Sequence, residues 1–214
     1  MRLLQKFKGF VSGNQLFSTK DRLLLAVSGG VDSVVLCELC KKAGYNFGIA
    51  HCNFQLRGPD SDRDEKFVAD LAAKYDVALY TTRFNTTEFA AGNKLSTQEA
   101  ARLLRYDWFE QIRKNNNYNF ILTAHHGDDN IETVLMNFFR GTGIKGIRGI
   151  EAKNVFIVRP LLFARRKELE DFMTESQLQF VTDYTNEQDD YSRNFFRHQV
   201  IPMVEKTFPG VQDN

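Results

Sequence analysis

The stretch Leu25-Ala26-Val27-Ser28-Gly29-Gly30-Val31-Asp32-Ser33 decides how the rest of the chain is read. An unbroken apolar run over 22–27 reads as a strand buried on both faces, as in a parallel sheet. Two glycines follow, where backbone can turn sharply and approach an anion closely. Residues 33–42 then read as a helix, whose first amides and positive dipole end favour negative charge. Strand, glycine turn and helix start together describe a phosphate-binding loop. Ser28 and Ser33 add hydroxyls, and Asp32 places a carboxylate that can hold Mg²⁺ beside phosphates. No Gly-Lys-[Ser/Thr] follows, so the lysine that reaches β- and γ-phosphates in the Walker loop is missing. A plain glycine-rich connection is the alternative reading, and the full string after a buried strand argues against it.

Working outward, strands are expected over 46–51, 77–82, 119–123 and, short, over 155–158. Between them the helical period recurs from Ser61 through Phe67, Val68, Leu71, Ala72 and Tyr75. Ser96-Thr97-Gln98-Glu99 has the capping-box form and opens a long helix to residue 113. Further helices are expected from Asp128 to Phe139, over 165–176 and over 194–206. Strands alternating with helices predict an α/β, doubly wound, mostly parallel five-stranded sheet with right-handed crossovers. The division expected is a nucleotide-binding domain over 1–158 and a helical C-terminal extension over 159–214.

Bulk properties set limits. At 214 residues, 43% hydrophobic and 26% charged, the chain can bury one sizeable core. The start, MRLLQKFKGFVSG, is amphipathic, with Leu3, Leu4, Phe7, Phe10 and Val11 on one side, and lacks the form of a secretory signal. No apolar run is long enough for a membrane span, and three cysteines read as reduced thiols, so a cytoplasmic protein without a membrane partner is expected. Cys37 and Cys40 form Cys-x-x-Cys, but they lie among Val34, Val35, Leu36 and Leu39, where small buried thiols explain them better than redox or iron–sulfur chemistry. The net charge of +1 is uninformative, yet residues 140–167 carry eight basic side chains against one acidic, Glu151. Such a stretch suits a phosphate backbone, with a solvated face as the alternative.

The motifs beyond the loop carry a resemblance. The string from Ser28 to Ser33 is similar to the pyrophosphatase loop of the N-type ATP pyrophosphatases, which adenylate a carbonyl oxygen and release pyrophosphate. His51-Cys52-Asn53-Phe54-Gln55-Leu56-Arg57 resembles a segment of the lysidine synthetases within that superfamily, with Phe54 where the family has its second histidine. Glu99-Ala100-Ala101-Arg102 with Arg105-Tyr106, and Thr123-Ala124-His125-His126-Gly127-Asp128-Asp129 with Glu132-Thr133, resemble two further segments. Arg140-Gly141-Thr142-Gly143, Arg159-Pro160-Leu161-Leu162, and Asp183, Asn186, Tyr191, Arg193, Asn194 and Arg197 continue the likeness to about Pro202.

The resemblance implies an adenine nucleotide alpha hydrolase-like fold with strand order 3-2-1-4-5, so that the loops after strands 1 and 4 face one crevice. It implies a ligase acting in tRNA processing: ATP adenylates the C2 oxygen of the wobble cytidine in a CAU anticodon, and the ε-amine of lysine displaces AMP to give lysidine. ATP and Mg²⁺ are then the cofactors, tRNA(Ile) and free L-lysine the partners, and a homodimer is allowed. The nucleotide is assigned to Ser28, Gly29, Gly30, Val31, Asp32, Ser33, His125 and Arg105, the metal to Asp32 and Asp129, and catalysis to Asp32, Asp129, Glu132 and Arg193. Glu132 has an electrostatic reason, since the lysine ammonium needs a carboxylate, while Arg193 and Arg197 suit phosphate or departing pyrophosphate. Asp128 and Asp129 also fit simple complementing of the helix dipole, and His125 and His126 also fit core or hinge positions. Family members continue into C-terminal domains that help hold tRNA, which the resemblance places outside this chain. Two rivals remain: a tRNA 2-thiocytidine-type thiolase, which would need suitably spaced cysteines, and a nucleotide-binding module without catalysis.

Overall fold

The computed structural model describes residues 2–181, 194–208 and 210, with the side chain of Lys145 excepted. The chain opens with α1 (Arg2–Gly13), whose Leu3, Phe7 and Val11 are buried, as its amphipathic pattern requires. The phosphate loop joins β1 (Arg22–Ala26) to α2 (Val31–Ala43). Then come β2 (Asn46–Asn53), α3 (Pro59–Tyr75), β3 (Leu79–Arg83), α4 (Thr86–Asn93) and α5 (Thr97–Asn115). The capping box of α5 forms as expected: Glu99 N–H donates to Ser96 Oγ and Ser96 N–H donates to the Glu99 carboxylate. β4 (Phe120–Leu122), α6 (Gly127–Phe139), α7 (Gly143–Ile147), β5 (Lys153–Asn154), β6 (Ile157–Val158) and α8 (Arg166–Glu175) follow. A π-helical turn, Phe196–Val200, runs into α9 (Ile201–Thr207).

The sheet has six strands, not five, in the order β3-β2-β1-β4-β6-β5. All neighbours are parallel except β5 and β6, which form an antiparallel hairpin at one edge. The expected single strand over 155–158 is split because Val155 turns with φ of 52°, so residues 153–154 fold back on 157–158. The expected order otherwise holds, with β1 and β4 side by side at the switch point.

Two apolar layers cover the sheet. Leu23 and Leu25 point to the face carrying α1, α2 and α8, where Phe7, Leu36, Leu161, Leu169 and Phe172 join one core cluster. Leu24 points the other way, toward Phe109 of α5 and Ile121 of β4. This alternation explains why β1 reads as continuously apolar. Among the described residues no helix is long and apolar enough to cross a membrane.

Candidate active site

β1 ends at Ala26, and the chain turns through Gly29, at φ of 98°, into an α2 whose N-cap, Gly30, offers no side-chain cap. Val34 N–H closes the first turn on Gly30 C=O at 3.1 Å. The amides of Val31, Asp32 and Ser33 therefore have no partner within the helix, which makes this end an anion cradle. Ser33 does more shaping than expected: its buried hydroxyl donates to Gly30 C=O at 2.9 Å and accepts from Gly29 N–H at 3.2 Å. Ser28, on the exposed side, accepts from Gly30 N–H at 3.3 Å.

Gly29 is held from above as well. Val181 N–H donates to Gly29 C=O at 3.0 Å, and a Cβ on Gly29 would meet Val181 Cγ2 at 2.6 Å. With positive φ added, Gly29→Ala is expected to cost about 1–3 kcal/mol and to weaken nucleotide binding together. Thermal denaturation and calorimetric titration with ATP check both.

Across the crevice, β4 delivers Thr123, His125 and His126. Thr123 Oγ1 and His125 Nδ1 share a hydrogen bond of 2.9 Å. His125 lines the cavity, whereas His126 is buried beneath it. His126 Nε2 stands 3.8 Å from Asp32 Oδ2 and 3.6 Å from Asp129 Oδ2, and its Nδ1 lies 3.5 Å from Asp128 Oδ2, an ion-pair separation. Burial pulls the imidazole pKa down, yet Asp128, Asp129 and Asp32 together lift it above its ordinary value. Burial likewise pushes the Asp32 carboxyl up, opposed by His126 and Arg166.

Asp32 Oδ1 is a buried oxygen without a hydrogen-bond partner. A desolvated, unpartnered carboxylate oxygen at an anion cradle fits a divalent cation. Among the described residues no three His, Cys, Asp or Glu side chains gather into a protein-only metal site. Two carboxylates with phosphate oxygens are the usual Mg²⁺ arrangement.

Glu132 lies elsewhere than expected. It is 0% exposed and does not line the cavity, and Arg197 grips both its oxygens, Nε donating at 2.6 Å and Nη2 at 3.1 Å. The carboxylate fixes a guanidinium that lines the cavity. Asp128 is also structural. It accepts from Arg165 Nη2 at 2.6 Å and from Arg166 N–H at 2.7 Å, tying α6 to α8; burial pushes its carboxyl up, but His126, Arg165 and the Arg166 amide together hold it below the usual range.

The cavity, about 690 Å³, opens at the carboxyl ends of β1, β2 and β4. Of the residues assigned to it from sequence, Ser28, Gly30, Val31, Asp32, Ser33, Arg105, His125 and Asp129 line it. Gly29 and Glu132 are not among its lining residues, and Arg193 falls outside the described residues. Arg105 sits with its guanidinium 5.1 Å over the ring of Phe54, and burial draws its pKa below the ordinary value. Phe54 in turn stacks on Phe84 at 5.8 Å, so the aromatic in place of a histidine serves as a support.

The basic run of 140–167 separates into two parts. Lys153 reaches the carbonyl of Leu16, Arg159 that of Glu151, Arg165 meets Asp128, Arg166 meets Glu170 and Lys167 meets Asp171. Those five are largely engaged within the fold, contrary to a uniform phosphate-binding stretch.

An uncapped glycine loop after β1 facing an acidic loop after β4 defines a nucleotide-binding α/β protein of the PP-loop class. Residues 2–204 match the PP-loop domain family, and the chain belongs to it. Two curated relatives bear the name tRNA(Ile)-lysidine synthase. One, from Bacteroides thetaiotaomicron, is 44% identical over 98% of this chain and 49% of its own length. The other, from Chlorobaculum tepidum, is 43% identical over 95% of this chain and 63% of its own length. The chain thus spans from about half to just under two thirds of the length of these relatives. A solved U34-tRNA thiolase from Methanococcus maripaludis, holding a [4Fe-4S] cluster, superposes with a TM-score of 0.79 at 16% identity, covering 99% of this chain and 75% of that one. An NH3-dependent NAD synthetase from Campylobacter jejuni gives 0.56 at 14% identity, covering 96% of this chain and 84% of that one. At such identities the likeness is one of fold.

Proposed function

We propose that the chain carries out tRNA(Ile)-lysidine synthesis, using ATP to activate the wobble cytidine of a CAU anticodon for attack by lysine. The observation that carries this reading is the buried, unpartnered Asp32 Oδ1 at an uncapped helix start, facing Asp129 across one cavity. The curated relatives' name supplies the substrate.

In the first step the cytidine O2 attacks the α-phosphorus, and the bond from that phosphorus to the β-bridging oxygen breaks. The amides of Val31, Asp32 and Ser33 face the charge that gathers on the departing pyrophosphate. Asp32 and Asp129 would hold Mg²⁺, which supplies further neutralisation of that charge when bound. In the second step the lysine amine attacks C2, the C2–O bond breaks, AMP leaves and the amine gives up its proton. Arg197, fixed by Glu132, and Arg105, braced on Phe54, are the cations set to hold phosphate or the activated oxygen. Arg193 is assigned the same grip on pyrophosphate. An anticodon loop is unpaired, so its base can enter the cavity without melting a duplex.

The thiolase reading is the weaker. Cys37 and Cys40 are fully buried in α2, and burial raises both thiol pKa values, so neither is placed to ligate iron or carry sulfur at the cavity. Cys52 does line the cavity, but it is the one cysteine among the described lining residues, and burial pushes its thiol up to about 12, away from a reactive thiolate. Mass spectrometry of tRNA(Ile) after incubation with ATP and isotope-labelled lysine tests the proposal. Incorporation of the label at the wobble cytidine is expected; a gain of sulfur, or an unchanged mass, would refute it.

A further inference from the structure

Three large rings stand uncovered on one side of the cavity. Phe138, Phe139 and Phe195 are 62%, 67% and 53% exposed. Phe138 and Phe139 end α6, and Phe195 precedes the π-helical turn, so segments far apart in sequence gather them. Phe139 lies 5.5 Å from Phe196 at 37°, Phe195 lies 5.8 Å from Phe196 at 75°, and Phe138 meets Phe139 edge-on at 5.5 Å. Edge-on and tilted contacts leave ring faces open. Arg197 and His198, directly after Phe196, line the cavity, so the patch adjoins its mouth.

Charge decides what would cover it. Arg140 follows Phe139 and Arg148 follows α7; both are exposed, and neither has a carboxylate partner among the described residues. Among the described side chains of the basic run, they are the cations for which the fold supplies neither a carboxylate nor a backbone carbonyl partner. An apolar protein partner would desolvate both charges without compensation. Open aromatic faces beside unpaired arginines are instead the elements of single-stranded nucleic-acid binding, where bases stack on rings and cations follow the phosphates.

We propose that Phe138, Phe139 and Phe195, flanked by Arg140 and Arg148, form a stacking platform for unpaired RNA nucleotides next to the base that enters the cavity. This rests on the reading of the substrate as an RNA loop. The platform would hold the neighbours of the target base and so fix its approach.

The test uses the full chain and a fluorescent stem-loop RNA with an unpaired CAU-containing loop. The Phe138→Ala/Phe139→Ala variant removes exposed rings and should fold normally. Its affinity for the stem-loop is expected to fall about 5- to 150-fold, with ATP affinity and molar mass unchanged. Arg140→Glu/Arg148→Glu should weaken the same complex and flatten its salt dependence. Unchanged stem-loop affinity in both variants overturns the proposal. So does a fall in molar mass on removing the rings, which marks a face between two copies of the chain. If the wild-type protein binds the stem-loop through these rings but makes no lysidine, the proposed reaction falls and the platform stands. If lysidine forms and the variants bind RNA as the wild type does, the platform alone falls.

Discussion

Asp32→Asn is expected to lower pyrophosphate release by roughly a hundred- to a thousandfold while leaving the chain folded. The carboxylate stands at the N-terminus of α2 with one oxygen buried and unpartnered. Burial disfavours the charge and pushes the carboxyl pKa up, with His126, 3.8 Å away, and Arg166 opposing that shift. A neutral amide relieves the desolvation cost and gives up the attraction to His126 and Arg166, so the melting temperature should change little. What is lost is a metal ligand at the charge that develops on pyrophosphate, a contribution of several kcal/mol with each factor of ten near 1.4. Rate measurements at saturating ATP, paired with thermal melts, separate the two effects. A variant that loses activity only by unfolding would show Asp32 to be structural.

The second large effect falls on stability. Glu132→Ala should cost about 3 kcal/mol, because it strips both hydrogen bonds from Arg197 and leaves that cation with the more distant Asp129, 3.8 Å away. The figure is the lower end for broken buried pairs, since the Arg197 side chain keeps 30% of its exposure and solvent takes up part of the loss. In a chain of this size it corresponds to a melting point roughly 6–12 °C lower. Arg197→Ala should cost at least as much, because the fully buried Glu132 carboxylate then loses both hydrogen bonds from the guanidinium. The double variant should cost much less than the two single changes added together. Additive costs would mean that the pair does not act as a unit.

These expectations show how far the sequence could be read. The phosphate loop was legible because strand, glycines and helix start are local, and the capping box at Ser96 and Glu99 is local too. The strand order followed from resemblance and held up to the edge. There the β5–β6 hairpin escaped notice because its turn uses Val155 at positive φ, a position where glycine or asparagine would give the signal. α4 escaped as well, although Asn85 caps it by accepting from Glu88 N–H at 3.3 Å. Its short run of threonines and alanines has almost no helical stripe.

In the site, adjacent histidines could not be told apart. At the end of β4 successive side chains alternate, sending His125 to the cavity and His126 beneath it among three aspartates. The Glu132–Arg197 pair spans 65 residues and exists only in the folded chain. The basic run looked uniform in part for the same reason. Asp128 and the carbonyls of Leu16 and Glu151 claim Arg165, Lys153 and Arg159 only after folding, whereas Arg166–Glu170 and Lys167–Asp171 are local i,i+4 pairs of α8.

The account depends on the loops after β1 and β4 receiving one nucleotide between them. A crystal grown with ATP and Mn²⁺, read through the anomalous signal of manganese, tests this most directly. The predicted result is triphosphate over the amides of Val31, Asp32 and Ser33, with a manganese peak in coordinating contact with Asp32 and Asp129. Nucleotide bound outside this cavity, or a metal that touches neither aspartate, would contradict it.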